Sequence, residues 1–362
     1  MIKSKVAAVC AAFSLVSGFA FAEAEYSFSN KLSSDIVNIE KDGDEDTDSD
    51  FAGIKNKTSF EFSSEKVDAL LELTFWSAKA KDPKAEDDDK YFAVGLTSSD
   101  GTDYGYDFGD SYIEVRPFDI LGLEFHEKVF TAGSYLPVWD DNVASGNIAS
   151  DFGLLVRPIE GLVIGGGLDF VSVFGHDDYK PVVNFGAEYS ADAFAVGAAV
   201  RDVADNDKLD NTDGFTFGVY ASLLSVENLV LNAGFAYNDS VGPDVGDVSG
   251  KLLTLGATYE LDAFHSALDF ATNFADSDDE EFDFYIAVSA GYNVVETLSL
   301  DCAFATALDA ESDSDKKADA RFQINPSATY GVGNHEFSAG VNFIFGEDYT
   351  SVNFPVYWKY SF

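Results

Sequence analysis

The chain has 362 residues, with 64 acidic against 22 basic and a formal charge of −42. Such a surface repels nucleic acid and contains no basic groove, so a nucleic-acid partner is excluded. Near-zero mean hydropathy with 46% hydrophobic and 15% aromatic residues suits either a soluble all-β protein or a membrane barrel that alternates lipid-facing and water-facing side chains.

At the amino terminus Lys3 and Lys5 precede an apolar run from Val6 to Phe21, which closes on Ala20-Phe21-Ala22 before Glu23. A short basic start, an apolar stretch and a small-residue end form the pattern of a secretory signal peptide. Cleavage after Ala22 removes Lys3 and Lys5 and moves the formal charge from −42 to −44. A lipoprotein site at Cys10 fits poorly, because Val9 is large and the apolar run before it is short. Beyond residue 22 no apolar run approaches the roughly 18 residues that a spanning helix needs, so an inner-membrane helical protein is not expected. The remainder, 23–362, is read as one domain. It keeps only Cys302, a small apolar residue on a predicted strand face, so no disulfide is expected within it.

Along the chain the acids arrive in bursts: Glu40 to Asp50, Lys79 to Lys90, Gly175 to Asp178, Asp202 to Asp213, Asp239 to Asp247, Asp276 to Glu281, Asp309 to Asp319 and Glu347 to Asp348. Between bursts the residues alternate with the period of a strand. Val67, Ala69, Leu71, Leu73 and Phe75 face away from Asp68, Glu72 and Thr74, and Phe282, Phe284, Ile286, Val288 and Ala290 face away from Asp283, Tyr285, Ala287 and Ser289. Each apolar face is about ten residues long, which is what a tilted strand needs to cross a bilayer.

Midway between bursts lie short, less charged connections. Ala187-Glu-Tyr189, Ala257-Thr-Tyr259, Ala290-Gly-Tyr292 and Ala328-Thr-Tyr330 each close a strand before a tight turn, and Val115-Arg116-Pro117 and Val156-Arg157-Pro158 form a second matched pair. These weak repeats recur about every 35 residues. Turns near residues 64, 118, 159, 191, 226, 262, 295 and 333 then predict about 18 strands, with a range of 16–20 because residues 91–116 read as either one strand or two. Antiparallel strands that must leave no edge in lipid imply a closed up-and-down barrel. A soluble sandwich of this length would usually be two linked domains, and no linker composition appears.

The inward positions of that alternation hold Glu61, Glu72, Glu124, Asp169, Glu188, Glu260, Asp269, Asp283 and Asp301, opposed in the mid-barrel only by Arg201 and Arg321. Their neighbours are Gly, Ala, Ser, Thr and Asn, too small to fill a barrel of this size, so the lumen is expected to hold water. Excess carboxylate then favours cations. Asp44, Asp46, Asp48 and Asp50 have the spacing of a calcium loop, but Ser49 and Lys55 stand where glycine and glutamate are needed, so no metal or cofactor is expected. Four histidines exist, and His176 beside Asp177 could pair only in a loop, so no catalytic reading is adopted.

The last stretch, Ser351 to Phe362, alternates Val352, Phe354, Val356, Trp358, Tyr360 and Phe362 with mostly small or polar residues and ends on an aromatic carboxyl-terminal residue. It resembles the terminal signal of bacterial outer-membrane β-barrels, with Trp358, Tyr360 and Phe362 as the positions that carry it. At the level of architecture and terminal signal the chain resembles the porin superfamily. The resemblance implies an outer-membrane location among lipid, insertion by the barrel-assembly machinery, and passive diffusion of small hydrophilic solutes and cations. Many porins are trimers, so a homotrimer is an assembly the resemblance allows. General porins fold their third outer loop into the barrel. Here the third loop is Thr131 to Ser150, with Trp139, Asp140 and Asp141 as constriction residues, or else an ordinary surface loop whose Trp139 packs on the rim. The competing function is a surface-exposed barrel that works as an adhesin or antigen through its acidic loops.

Overall fold

Alternation of the kind read above has one stable outcome when every strand finds two neighbours. The computed structural model describes residues 25–42, 48–50, 53–79, 102–107, 111–125, 130–131, 134–139, 141–143, 147–148, 152–169, 182–201, 215–241, 248–274, 283–309, 319–346 and 349–362. The signal-peptide segment, Tyr91 to Thr97, His126 and the His176-Asp177 pair lie outside the described residues, as does most of the Asp44 to Asp50 run.

The barrel strands are β1 (Glu25–Asp42), β2 (Ile54–Ser63), β3 (Val67–Lys79), β4 (Thr102–Asp107 continued by Tyr112–Phe118), β5 (Leu121–Phe125), β6 (Phe152–Ile159), β7 (Leu162–Asp169), β8 (Val182–Ala191) and β9 (Phe194–Arg201). They continue as β10 (Thr216–Val226), β11 (Leu229–Val241), β12 (Val248–Leu261), β13 (Phe264–Asn273), β14 (Phe284–Val295), β15 (Leu298–Asp309), β16 (Asp319–Val332), β17 (His335–Gly340 continued by Asn342–Phe345) and β18 (Tyr349–Ser361). All pairings are antiparallel, neighbour to neighbour, and β18 returns to β1 from Ser29↔Ser361 to Asp42↔Tyr349. Both parts of β4 pair with β3, so Thr102–Asp107 and Tyr112–Phe118 count as one strand and the barrel has 18. Closure removes every sheet edge, which an open sandwich cannot do.

The ladder registers separate two faces. One cross-strand row runs Leu231, Ala257, Leu268, Val288, Phe304, Ile324, Phe343 and Val352. Its large members are solvent-exposed in the isolated chain, which marks the outward, lipid-facing side. The adjacent row runs Asn232, Gly256, Asp269, Ala287, Ala305, Gln323, Ile344 and Ser351 and faces the lumen.

The eight tight turns fall where the repeats put them. Gly161 (φ 78°) and Asn228 (φ 63°) take the left-handed second position of their turns, and the ladder shifts beside each. Gly161 is required twice over, because a Cβ there would lie 2.1 Å from the Ser190 carbonyl oxygen. Asp262 (φ 51°) and Gly333 (φ 57°) instead take the first position, and their ladders run on without a shift. Lys66 in the first turn pairs with Asp119 in the second at 2.7 Å; the bond raises the lysine pKa and lowers that of the aspartate.

At the turn end the outward positions are aromatic. Tyr189, Tyr259, Tyr292 and Tyr330 line this rim, where amphipathic rings suit the membrane interface. Phe362 stacks on Phe28 at 5.3 Å, and the two residues exchange both backbone hydrogen bonds, so the carboxyl terminus is sewn into β1.

Candidate functional site

The connection between β5 and β6 is itself a flattened hairpin. Phe130–Thr131 pairs with Asn147–Ile148, Ser134–Leu136 pairs with Asp141–Val143, and residues 137–139 begin the tip turn. Its base leaves the barrel at β5, yet its tip lies on the lumen face of β13, seven strands round from β6. Between these two ends Asn147–Ile148 contacts β8 and β9 and Ser134–Leu136 contacts β10 to β13, so the hairpin lies inside the barrel along its wall.

Its seat is made by small inward residues. Ala236, Leu252, Ala271, Tyr285, Ala287, Ala305 and Ala307 are buried beneath it, with Leu136 fully enclosed and Val138 and Trp139 packed at the edge. Burying a leucine is worth about 2 kcal/mol. The fit depends on missing side chains: a Cβ at Gly256 would lie 2.4 Å from the Tyr135 carbonyl oxygen, and one at Gly234 would lie 2.5 Å from Ser134 Cβ. At the tip the amide of Val138 donates to both carboxylate oxygens of Asp269, each at 3.0 Å, and the amide of Trp139 donates to Oδ2 at 2.8 Å. Asp269 is 0% exposed. Trp139 meets Tyr285 edge to face at 6.3 Å. Asp140 is outside the described residues; Asp141 is placed by its backbone pairing with Leu136.

The opposite wall is charged. Lys31, Lys55, Lys57 and Lys359 occupy inward positions of β1, β2 and β18, and Lys31 Nζ sits 4.2 Å from the Tyr357 ring centre. Lys57 pairs with Glu72 at 2.7 Å. Tyr357 donates to Glu336 at 2.7 Å. Arg116 and Arg157, from the two Val-Arg-Pro repeats, converge on Glu114 at 3.2 Å and 2.7 Å, and Arg116 also lies 3.5 Å from Asp68. The expectation that only Arg201 and Arg321 oppose the lumen acids is therefore corrected: four lysines and two more arginines face inward. Lys31, Lys55 and Lys57 lie on strands with weak apolar alternation, and the two arginines sit beside turns, so a reading by hydrophobic period passed over them.

The eleven sequence-predicted charges all fall at inward register positions, in differing surroundings. Glu61 accepts from Ser27 at 2.7 Å and remains exposed to the lumen. Glu72 and Glu124 are buried, the latter directly opposite Glu114. Asp169 ends β7, while Arg201 and Arg321 stand opposite Thr216 and Ala307. Asp283 is tied to Asn273 at the loop end by two hydrogen bonds of 2.9 Å.

At the turn end three side-chain bridges each span two strands over a glycine. Glu114 and Arg157 meet over Gly122, Glu188 and Tyr220 over Gly197, and His265 and Asp301 over Gly291. A Cβ at any of these glycines would collide with the bridging atoms, at 2.3, 2.2 and 2.0 Å. Asp301 also accepts from Ser299 at 2.7 Å, and Glu260 stands opposite His265. In this group the carboxylate lies between serine and histidine, which leaves no imidazole to activate the hydroxyl. His335 lies outside the barrel, stacked on Trp358.

No protein-family model and no curated protein matches the sequence. Solved structures do match over nearly the whole chain. OccAB4 of Acinetobacter baumannii has a TM-score of 0.57 at 9% identity, covering 93% of this chain and 98% of its own. A BenF-like porin from Pseudomonas fluorescens Pf-5 has 0.56 at 11%, covering 94% and 99%. OccK7 (OpdD) of Pseudomonas aeruginosa has 0.55 at 10%, also covering 94% and 99%. At such identities the likeness is one of fold. Joined to the closed wall and its outward apolar band, it gives this chain the fold of a closed, 18-stranded transmembrane β-barrel, the fold those porins share.

Proposed function

We propose that this barrel is an open diffusion channel for small hydrophilic solutes, with a preference for cations. The observation that carries the reading is the lumen hairpin: it occupies the β11 to β15 side of a barrel of 18 strands, a size that leaves an aqueous passage when side chains alone line it. Solutes then pass between the hairpin and the charged wall, with Trp139, Asp140 and Asp141 at the constriction. The cation preference is assigned to the acidic bursts at the loop end and to Glu61 and Glu260 in the lumen; the inward lysines limit its size. The outward Trp358, Tyr360 and Phe362 act as the assembly signal.

A homotrimer contact is assigned to the lipid face of β1 and β2. Asn30, Asn56 and Thr58 share hydrogen bonds there at 2.8 to 3.3 Å, although lipid offers no partner for what remains. Asn30→Leu with Asn56→Leu is expected to reduce cross-linked trimers while leaving the barrel folded.

Liposome swelling tests the channel. Proteoliposomes are expected to admit small amino acids and sugars at rates that fall with solute size. No swelling with any solute, from protein shown to be folded, overturns the channel reading and leaves the acidic loops as the seat of function.

A further inference from the structure

We infer that Asp269 is the latch that holds the hairpin against the lumen wall, and that it acts through its acceptor oxygens and not as a charge met by passing ions. The inference rests on the channel reading only for its electrical readout. Three observations carry it. Asp269 is completely enclosed, whereas Glu61 and Glu260, on the same inward face, are exposed. Its carboxylate takes the amides of Val138 and Trp139 at the hairpin tip, backbone donors that need a partner away from water. Its ladder neighbours are Gly256 on β12 and Ala287 on β14, two of the smallest residues available, so the slot around the carboxylate admits hairpin backbone.

Charge and acceptor can be separated because Oδ2 alone receives both amides, at 3.0 and 2.8 Å. Asp269→Asn removes the charge and keeps an oxygen able to take that place. Asp269→Ala removes both. The experiment uses the full protein purified from outer membranes, with single-channel conductance, reversal potential in a salt gradient, and hydrogen–deuterium exchange of the peptide containing Val138 and Trp139.

Asp269→Ala is expected to speed exchange in that peptide by roughly tenfold, the factor for one charge-assisted hydrogen bond, and to raise conductance and current noise. Asp269→Asn is expected to keep the wild-type reversal potential and slow exchange. If Asp269→Ala fails to yield a heat-modifiable barrel, Asp269→Ser, which keeps a polar group too short to reach the amides, is read in its place. Unchanged exchange on loss of the acceptor overturns the latch. So does a reversal-potential shift in Asp269→Asn as large as that of Glu61→Gln. If wild-type protein carries no current, the channel reading fails by itself, and exchange at Val138 and Trp139 still decides the latch.

Discussion

Beneath the hairpin the inward residues of β11 to β15 are mostly alanines and glycines with Leu252 and Tyr285. From β18 round to β5 the corresponding positions hold Lys359, Lys31, Lys57, Glu72, Glu114 and Glu124, with no described segment of the hairpin packed on them. Both walls are built of antiparallel strands that turn polar or small residues inward. What separates them is side-chain volume. Where the inward side chain is a methyl or nothing, backbone can approach within van der Waals distance and be held by one carboxylate. Where it is a lysine or glutamate, the space is already taken by a group that water must solvate. The difference divides the labour of the lumen: one wall anchors the constriction and the other meets the solute.

Removing the hairpin should break that division most severely. Replacing residues 134–143 with two glycines is expected to raise single-channel conductance severalfold and weaken discrimination by solute size, while the protein still migrates as a folded barrel. Unaltered conductance would mean that the hairpin does not narrow the path.

A subtler disturbance acts on the anchoring wall alone. Gly256→Val puts a branched side chain where the Tyr135 carbonyl lies 2.4 Å from an added Cβ. Overpacking of this kind costs about 1–3 kcal/mol. It is expected to reproduce the raised conductance of the unlatched hairpin with a smaller effect than the deletion, and Gly331→Ala, where the nearest atom is 4.0 Å from an added Cβ, serves as the silent control.

Strand count, turn positions and the outward face were legible because they are periodic: Leu268, Val288 and Phe304 recur with the period of a strand, and lipid disfavours polar interruptions. The hairpin's destination was not legible. Nothing in Thr131 to Ser150 encodes β13, because the seat is built by Gly256, Ala287 and Asp269, which are far away in the chain and individually unremarkable. Asp269 looked like any inward carboxylate, and only its burial under Val138 and Trp139 sets it apart. The lysine wall was hidden for a different reason. Ser27 to Ser34 alternates polar with polar on much of its length, so period alone does not say which side faces water.

On the open wall, charge changes should move selectivity and leave the constriction alone. Neutralising Lys31, Lys57 and Lys359 together to Gln is expected to shift the reversal potential further toward cations at nearly constant conductance. A shift toward anions would contradict the assignment of these lysines to the solute path. The smallest effect belongs to a single member of that set. Lys57→Gln keeps a hydrogen-bond donor beside buried Glu72 and removes only the charge of the half-exposed lysine, a change of about 0–1 kcal/mol, so the urea midpoint should move little. A large loss would mean that the pair is structural.

The central question for this barrel is whether ions cross it at all. Planar-bilayer recording of the purified protein under a potassium chloride gradient tests this directly: stepwise conductance with a reversal potential on the cation side is the predicted result. A membrane that stays silent with protein verified as a heat-modifiable, β-rich barrel, or a reversal potential on the anion side, would contradict it.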